Sequence, residues 1–364
     1  MDVSPLFRPF QYKQLILPNR IVMPAMTRRF SPGGVPGDNV AAYYRRRAEG
    51  GVGLIITEGT TIDRPAASND AAIPNFHTPE SLEGWARVVS VVHAAGGRIA
   101  PQLWHQGIAR PSGSGPYPDA PSEGPTSGLD QSQAMDDADI ADTIAAFASA
   151  AAAAKRIGFD AVELHGAHGY LIDQFLWAGS NRRTDGYGGD AVERTRFASE
   201  IIRAVRAAAG PDFPLILRFS QWKVQDYGAR LAETPEALEQ LLAPLVDAGV
   251  DIFHASTRRF WEPEFTGSDL NLAGWARRVT GQPAISVGSV GLSGADFMEQ
   301  LRGEPTGAQL GALDGLLRRM DANEFDLIAV GRALISDPDW PAKIRNGRQD
   351  ELRPFEKTEL ATLA

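Results

Sequence analysis

The sequence predicts an α/β fold built as a single (β/α)8 barrel, the TIM barrel. Eight short apolar runs alternate with amphipathic helical patterns along the 364 residues, which is typical of parallel strands joined by helices. No repeat of fixed period and no linker divides the chain, so we expect one domain over residues 1–364. A doubly wound sheet is the weaker alternative, because no Gly-x-Gly-x-x-Gly turn follows the first run.

The composition and charge indicate the type of protein and exclude several kinds of site. With 43% apolar and 22% charged residues, the chain has the composition of a soluble globular protein. Its formal net charge of −9 argues against nucleic acid or an anionic membrane as a partner. The absence of cysteine excludes disulfides, thiolate metal sites and cysteine nucleophiles. No apolar run has the length of a signal peptide core or a membrane span, so we expect a cytoplasmic location.

The first part of the chain predicts a hairpin followed by two barrel strands. Alternating polar and apolar residues over Phe10–Leu17 indicate a short hairpin or edge strand. The first barrel strand is predicted at Ile21–Pro24 and the second at Leu54–Thr57. Between them, Tyr43–Ala48 has a helical pattern that a glycine pair ends.

A long loop is predicted after the third strand, Arg98–Leu103. The stretch Pro111–Gly128 is rich in Pro, Gly and Ser and has no periodicity, and its length indicates a functional loop or lid. The helix after this loop has Asp136 as its expected N-cap and Gly158 as its expected end.

The fourth strand introduces the first candidate chemistry. The apolar run Ala161–Leu164 is followed by what we expect to be a glycine-spaced loop with His165, His168 and Tyr170. Two imidazoles and a phenol can hydrogen-bond a substrate oxygen and supply a proton. For an isolated His-x-x-His, histidines satisfied by backbone groups are the alternative, so the surroundings must decide.

The last four strands complete the predicted barrel. They are expected at Leu215–Phe219, Asp251–Ser256, Ala284–Val287 and Asp326–Val330. The pair Thr234-Pro235 predicts the cap and first turn of a helix after the fifth strand. Because Leu292–Asn323 is longer than one helix needs, an insertion is expected between the last two strands.

In such a barrel the reactive groups lie at the carboxyl ends of the strands. Informative residues follow or end the first five predicted strands, and we expect them to converge on one cavity: Thr27, Gly59, Gln102, His165, His168, Tyr170 and Arg218. Because Arg218 lies in an apolar run, its charge needs a partner. A structural salt bridge is one explanation, and a bound anionic group is the one we prefer.

The ends of the seventh and eighth strands predict a phosphate site. Val287-Gly288-Ser289 and Val330-Gly331-Arg332 each offer a glycine, which lets backbone N–H groups approach an anion, and Arg332 adds a bidentate positive charge. Barrels often bind phosphate between these two loops. Ordinary turns with a surface arginine are the alternative.

Five motifs in order resemble one known family. They are Met23-Pro-Ala-Met-Thr-Arg28, Pro101-Gln-Leu-Trp-His-Gln-Gly107, His165-Gly-Ala-His-Gly-Tyr-Leu171, Asn181-Arg-Arg-Thr-Asp-Gly-Tyr-Gly-Gly189 and Gly331-Arg-Ala-Leu-Ile-Ser-Asp-Pro338. Together they resemble the Old Yellow Enzyme family of flavin-dependent ene-reductases, and the resemblance runs from about Leu6 to Trp340. The chain is similar to the members with threonine, at Thr27, in the first-strand flavin contact.

The resemblance implies non-covalent FMN, reduced by NADH or NADPH, that passes hydride from N5 to the β-carbon of an activated alkene. The substrate would be a small α,β-unsaturated carbonyl compound or nitroalkene. By position, His165 and His168 would bind its electron-withdrawing oxygen and stabilise the developing negative charge. Tyr170 would protonate the α-carbon.

The resemblance also implies the cofactor contacts. Gln102 matches the ligand of the flavin pyrimidine edge, Arg218 the cation near N1 and O2, and Thr27 the hydroxyl near O4 that tunes the reduction potential. The full implied set is Pro24, Ala25, Met26, Thr27, Gly59, Gln102, Arg218, Val287, Gly288, Ser289, Gly331 and Arg332.

Two other functions remain open from the residues. A flavin-binding protein without turnover would keep the cofactor contacts but would not need Tyr170. A metal-dependent barrel hydrolase could use His165 and His168 as ligands, but it lacks further carboxylates and histidines at the strand ends, so no metal is expected. The pattern names neither the physiological alkene, nor the preferred nicotinamide, nor the oligomeric state. We expect Pro111–Gly128 and Phe260-Trp261 to shape the pocket.

Overall fold

The fold is a closed barrel of eight parallel strands, as predicted. The structure is a computed structural model, and it describes residues 2–127, 132–292 and 313–363. Around the barrel the strands follow one another in chain order, with the eighth strand pairing back onto the first. The barrel strands are β3 (Ile21–Met23), β4 (Leu54–Thr61), β5 (Ile99–Trp104), β8 (Val162–His168), β9 (Leu215–Lys223), β10 (Ile252–Ser256), β11 (Ala284–Val287) and β12 (Leu327–Ala329).

Helices surround the barrel and two small strand pairs accompany it. The helices are α1 (Ser4–Phe7), α2 (Asp38–Glu49), α3 (Pro79–Ala94), α4 (Asp137–Ile157), α5 (Leu171–Leu176), α6 (Arg196–Ala209), α7 (Pro235–Ala248), α8 (Leu272–Thr280), α9 (Leu313–Asp321), α10 (Arg332–Ser336) and α11 (Trp340–Arg345). The small strands are β1 (Phe10–Tyr12), β2 (Leu15–Leu17), β6 (Glu123–Gly124) and β7 (Gln133–Ala134).

The predicted N-terminal hairpin is present and packs against the barrel interior. β1 and β2 pair antiparallel, with Phe10 opposite Leu17. Phe10, Leu15 and Leu17 form one buried cluster with residues near the N-terminal ends of the barrel strands, among them Leu54 and Ile252. The hairpin thus closes the end of the barrel opposite the carboxyl ends of the strands, and it removes these apolar groups from water.

Three barrel strands each continue four residues beyond the ends that we predicted. β4 runs on through Gly59 to Thr61, past a register shift, and β9 runs on through Ser220 to Lys223. β8 includes both His165 and His168, so the prediction that these histidines lie in a loop is wrong. We placed the strand ends where the apolar runs end. The backbone pairing with the neighbouring strands continues past these points, although the side chains there are polar.

The helix ends mostly agree with the sequence. α4 begins with a capping box in which the Asp136 side chain accepts the N–H of Asp139, and it ends at Gly158 with φ of 99°. The Thr234 side chain caps α7 as expected. The first predicted helix was too short, because α2 begins at Asp38 behind a glycine N-cap that carries no side-chain signal.

The long loop after β5 is held together by Arg110, a fully buried side chain. Its guanidinium donates to the carbonyl oxygens of Ser68, Ser114, Tyr117 and Ala120. One buried cation thus satisfies several backbone acceptors. The predicted insertion before β12 falls mostly on residues 293–312, which lie outside the described residues.

No helix in the described part of the chain is both long enough and apolar enough to cross a membrane.

The cap of α4 generates a stability prediction. Asp136→Ala removes the acceptor for the N–H of Asp139 at 2.9 Å, and we expect the free energy of unfolding to fall by about 1 kcal/mol. Asp136→Asn keeps a side-chain oxygen at the cap and serves as the matched control, with a much smaller loss. Urea denaturation of the three proteins measures the difference. Equal losses in both variants would contradict the capping role.

Candidate active site

One cavity of about 450 Å³ opens at the carboxyl ends of the barrel strands. All but three of the predicted site residues line it: Pro24, Ala25, Met26, Thr27, His168, Tyr170, Arg218, Val287, Gly288, Ser289, Gly331 and Arg332. None of the described lining residues is acidic, whereas several are arginines. The cavity is therefore suited to an anionic ligand.

Gly59, Gln102 and His165 do not line this cavity. Gly59 lies inside β4, and a Cβ atom there would come within 2.6 Å of the Trp104 ring. Gln102 is 2% exposed. The His165 ring lies between the rings of Trp104 and His168, with centroid distances of 6.1 and 5.1 Å. All three residues lie within barrel strands, and the contacts that the resemblance implies for them stay predictions.

The end of β8 holds His168 in an unusual backbone conformation. His168 has φ of 66°, in the left-handed region that few non-glycine residues adopt. Its N–H donates to the Ser220 hydroxyl at 2.9 Å, and its carbonyl oxygen accepts the N–H of Val224. Its Nε2 lies 2.7 Å from the Ser256 hydroxyl. Partners from β9 and β10 thus fix both the backbone and the ring of His168.

Both histidines are neutral in this environment. Burial lowers the pKa of His165 and of His168 well below the ordinary value, and the positive charge of Arg218 lowers both further. A neutral imidazole carries one N–H donor and one acceptor. The pair can therefore donate two hydrogen bonds to one oxygen without bringing charges of their own.

Tyr170 faces the two histidines from the N-cap of α5. Its ring meets the rings of Trp104 and His165 edge to face, with centroid distances of 4.9 Å in both pairs. Burial raises the pKa of the Tyr170 phenol, against the opposing charges of Arg29 and Arg218. The phenol therefore keeps its proton at neutral pH and can donate it.

A buried ion pair lies under the turn between His168 and Tyr170. Lys223 Nζ lies 2.8 Å from Asp173 Oδ1, and both side chains are completely buried. The second oxygen of Asp173 accepts the N–H of Gly169 at 2.7 Å. Neither residue was predicted from the sequence, although a lysine inside a buried strand is a signal in itself.

Arg218 has no carboxylate partner among the described residues. Its guanidinium donates to the carbonyl of Ala25 at 3.3 Å and to the Ser256 hydroxyl at 3.4 Å, while the buried Nε makes no hydrogen bond there. Burial lowers the pKa of Arg218, and the charge of Glu163 raises it. Of the two explanations left open by the sequence, a bound anionic group agrees better with this arrangement.

Gln102 belongs to a fully buried network across the barrel. Its Nε2 donates to Glu163 Oε1 at 2.7 Å, and the other oxygen of Glu163 lies 2.6 Å from His254 Nδ1. Burial lowers the pKa of His254, although Glu163 acts against this shift. Because the carboxylate holds the amide NH2 group, the amide orientation of Gln102 is set, with its oxygen directed away from Glu163.

The predicted phosphate site is formed by the ends of β11 and β12. Gly288 has φ of 154°, and a Cβ atom there would come within 2.8 Å of the Thr257 carbonyl oxygen. Ser289 follows with φ of 51°, and its hydroxyl accepts from Arg332 at 3.3 Å. Burial lowers the pKa of Arg332 to about 10. Only glycine fits at position 288, so the close backbone approach is built into the site.

These residues fit FMN. A flavin mononucleotide carries a phosphate at one end and develops negative charge on its ring when reduced. Gly288, Ser289 and Arg332 line one part of the cavity. Arg218 lines another part, and its buried Nε has no hydrogen-bond partner among the described residues. Both anionic parts of the cofactor thus have cationic or N–H partners.

An aromatic wall that the sequence analysis missed continues from His168. The rings of His168 and Trp222 have centroids 4.5 Å apart, and Trp222 stacks on Tyr227 at 5.4 Å with 11° between the planes. Trp222 Nε1 donates to the Ser256 carbonyl, which fixes the ring. Both aromatic residues line the cavity, so they bound the space beside any oxygen that His168 binds.

The C-terminal segment also contributes to the cavity wall. Phe355, Lys357 and Leu360 line it. Arg28, which directly follows Thr27, donates to the carbonyl oxygens of Glu359, Leu360 and Thr362. No motif in the sequence signalled this contact, because backbone carbonyls far along the chain are its acceptors.

The pocket is therefore shaped by segments other than those we expected. No described residue of the loop 111–127 lines the cavity. Arg110 holds that loop outside the lining through hydrogen bonds to its carbonyl oxygens, among them that of Ala120. Phe260 and Trp261 also lie outside the lining. The cavity is lined instead by Trp222, Tyr227 and the C-terminal segment.

The described residues offer no grouping of three or more histidine, aspartate or glutamate side chains that could hold a metal ion. His165 and His168 have Trp104, Tyr170, Ser256 and Arg218 around them rather than carboxylates. The hydrolase alternative therefore finds no support at this site.

A family model for the NADH:flavin oxidoreductase / NADH oxidase family matches residues 5–304. The chain belongs to this family. Because the match covers most of the chain, the predicted family is confirmed. The membership also confirms the predicted class, an oxidoreductase that uses FMN and takes electrons from NAD(P)H.

Three similar proteins illustrate the range of the family. NADH oxidase of Thermoanaerobacter brockii is 36% identical over 360 residues, which cover 96% of this chain and 52% of that protein. The chain thus spans about half the length of that relative. 12-Oxophytodienoate reductase 7 of Oryza sativa subsp. japonica is 32% identical, covering 94% of this chain and 88% of the relative. The structure of morphinone reductase matches with a TM-score of 0.79 at 30% identity, covering 98% and 92% of the two chains.

Glu58 supports the segment that follows Thr27. It is 2% exposed, and its Oε2 accepts the N–H groups of Arg28 and Arg29 at 2.8 and 3.1 Å. Burial raises the pKa of Glu58 to about 7, although these two hydrogen bonds act against the shift. Protonated Glu58 is therefore favoured in the folded protein below this pH.

This shift generates a pH prediction. Because the folded pKa is raised, the contribution of Glu58 to stability is fully present below about pH 4.5 and is lost as pH rises through about 7. Glu58→Gln keeps a carbonyl acceptor but does not titrate. We expect the free energy of unfolding of the variant, relative to the unchanged protein, to rise by about 3 kcal/mol over this range. Denaturation at several pH values measures it, and a constant difference would contradict the shift.

Proposed function

We propose that the protein is an FMN-dependent ene-reductase with one FMN-binding barrel domain over residues 1–364. Bound FMN, reduced by NADH or NADPH, would supply hydride to the β-carbon of a small α,β-unsaturated carbonyl compound or nitroalkene. A cytoplasmic location is part of the same proposal. The names of two relatives, 12-oxophytodienoate reductase and morphinone reductase, support a reductase of small molecules.

One observation carries the proposal: two buried histidines, a tyrosine and a buried arginine lie close together at the carboxyl ends of the barrel strands. His168, Tyr170 and Arg218 line the cavity, and the His165 ring lies 4.9 Å from that of Tyr170. Such a group of donors suits an oxygen that gains negative charge while a neighbouring carbon gains a proton. A binding protein without turnover would have no use for the tyrosine in this place.

The histidines have the role of electrophilic donors. Each presents one N–H, and since neither is charged, the substrate oxygen keeps its ordinary charge until the reaction begins. The hydrogen bonds then strengthen as negative charge develops on that oxygen, which stabilises the transition state more than the ground state. Arg218, on the neighbouring strand in register with His165, adds a positive field.

Tyr170 has the role of proton donor to the α-carbon. Its raised pKa keeps the phenol protonated, and the edge-to-face contacts with Trp104 and His165 hold the ring in place. Thr27 and Gln102 would contact the flavin ring, and Gly288, Ser289, Gly331 and Arg332 its phosphate. Pro24, Ala25, Met26, Gly59 and Val287 complete the proposed cofactor contacts.

The purified protein tests the proposal directly. We expect a yellow protein, or a colourless one that gains a flavin spectrum when FMN is added. NADH or NADPH should bleach it, and an enone, maleimide or nitroalkene should restore the colour. A preparation that binds no FMN would overturn the proposal. A bleached protein that no activated alkene reoxidises would favour the binding protein without turnover.

Tyr170→Phe separates the two half-reactions. The change removes the phenolic proton but keeps the ring contacts, so we expect reduction by NAD(P)H to stay within about twofold of the unchanged rate. Alkene reduction should slow by about 100-fold, the usual contribution of one proton donor. Stopped-flow absorbance of the flavin measures both steps. Equal losses in both steps would contradict the proton-donor role.

A further inference from the structure

Ser256 at the end of β10 contacts two of the residues proposed to act on substrate and cofactor. Its hydroxyl oxygen lies 2.7 Å from His168 Nε2 and 3.4 Å from Arg218 Nη2. The serine is 3% exposed and lines the cavity. It thus links an oxygen-binding histidine with the buried arginine across two neighbouring strands.

The direction of these two hydrogen bonds follows from the groups involved. A guanidinium has no acceptor, so Arg218 donates to the serine oxygen. The serine then has one proton to place, and no other described residue accepts it. If it is donated to His168 Nε2, every polar group in the link is satisfied. If Nε2 donated instead, the buried serine proton would have no partner, which is costly.

The neighbouring histidine has the opposite arrangement. The N–H of Ala167 is directed at His165 Nδ1 over 3.4 Å, so Nδ1 is the acceptor and the His165 proton is on Nε2. Because His168 Nε2 accepts the Ser256 proton, the proton of the neutral His168 ring is on Nδ1. The two rings therefore carry different tautomers, and each leaves one N–H for a ligand.

We propose that Ser256 is a positioning residue that holds His168 in the tautomer with the proton on Nδ1, so that this N–H is available to the substrate oxygen. This rests on the proposed function, because it assigns an activated alkene to the cavity. Without the serine, His168 can place its proton on Nε2, and one of the two donors to the substrate is lost. The backbone of His168, at φ of 66°, limits how far the ring can turn to compensate.

Three variants test the role of Ser256. Ser256→Ala removes the hydroxyl, Ser256→Thr keeps it, and Ser286→Ala is the matched control. Ser286 is also a fully buried serine, on the adjacent strand β11, where it accepts a hydrogen bond from the Asn271 side chain. A general effect of losing one buried hydroxyl would appear in both alanine variants.

The first measurement is the tautomer itself. With only six histidines in the chain, 15N-histidine labelling and a His168→Asn variant assign the His168 ring nitrogens by NMR. We expect an unprotonated Nε2 in the unchanged protein, in Ser256→Thr and in Ser286→Ala. In Ser256→Ala we expect the proton to move to Nε2 or to be shared. Identical His168 shifts in all four proteins would overturn the proposal.

The second measurement is kinetic. In Ser256→Ala we expect the KM for an enone to rise about tenfold, the effect of one lost buried hydrogen bond, while flavin reduction by NAD(P)H changes less than about twofold. Ser256→Thr should restore the KM. An equal rise in Ser286→Ala would contradict a specific role. Failure of the unchanged protein to bind FMN or reduce alkenes would overturn the proposed function instead, and the NMR result separates the two failures.

Discussion

The buried ion pair between Lys223 and Asp173 is the constraint on which the arrangement of the site depends. Removing two charges from water is expensive, so the pair is stable only if both partners and their remaining hydrogen bonds are in place. Here Asp173 also accepts the N–H of Gly169, and Lys223 donates to the Ser220 carbonyl. The helix α5, the strand β9 and the turn at Gly169 are therefore held in one arrangement. His168 precedes this glycine and Tyr170 follows it. The ion pair between Lys223 and Asp173 therefore helps to fix the positions of both proposed reactive groups.

Electrostatics at the site depend on a second buried charge. Arg218 lies between His165 and His254 in register across three strands. Its positive charge lowers the pKa of both of these histidines and of His168. Neutral histidines are what an electrophilic site needs, because they donate without repelling the arginine. The carboxylate of Glu163 moderates the cost of burying Arg218 while it holds Gln102 and His254. One negative group thus serves three neighbours.

The fold could be predicted from the sequence because barrel strands leave apolar runs that repeat with helices between them. The cavity residues could be predicted because glycines, histidines and arginines at strand ends interrupt those runs. Ser256 and Trp222 could not, since a serine or a tryptophan at a strand end has many ordinary explanations and their meaning depends on which residues lie across the barrel. The contact of Arg28 with the C-terminal carbonyls has no side-chain signature at all. The strand ends were misjudged at β8 and β9 because hydrogen bonding along the ladder outweighs the loss of apolar pattern.

The position of site residues within barrel strands has a functional consequence. Several polar residues of the site, namely His165, Arg218 and Ser256, lie within strands rather than on loops. A strand inside a closed barrel is held by neighbours on both sides, so its side chains keep their geometry better than loop side chains do. This rigidity is required where two donors must meet one oxygen and a proton must arrive from a third group, because small displacements are costly. The segments that bound the cavity elsewhere carry exposed apolar side chains, Val224 near the turn with Tyr227 and Leu360 in the C-terminal segment. In the proposed function, the two histidines and the arginine thus act from barrel strands, and the segments at the barrel mouth select the substrate.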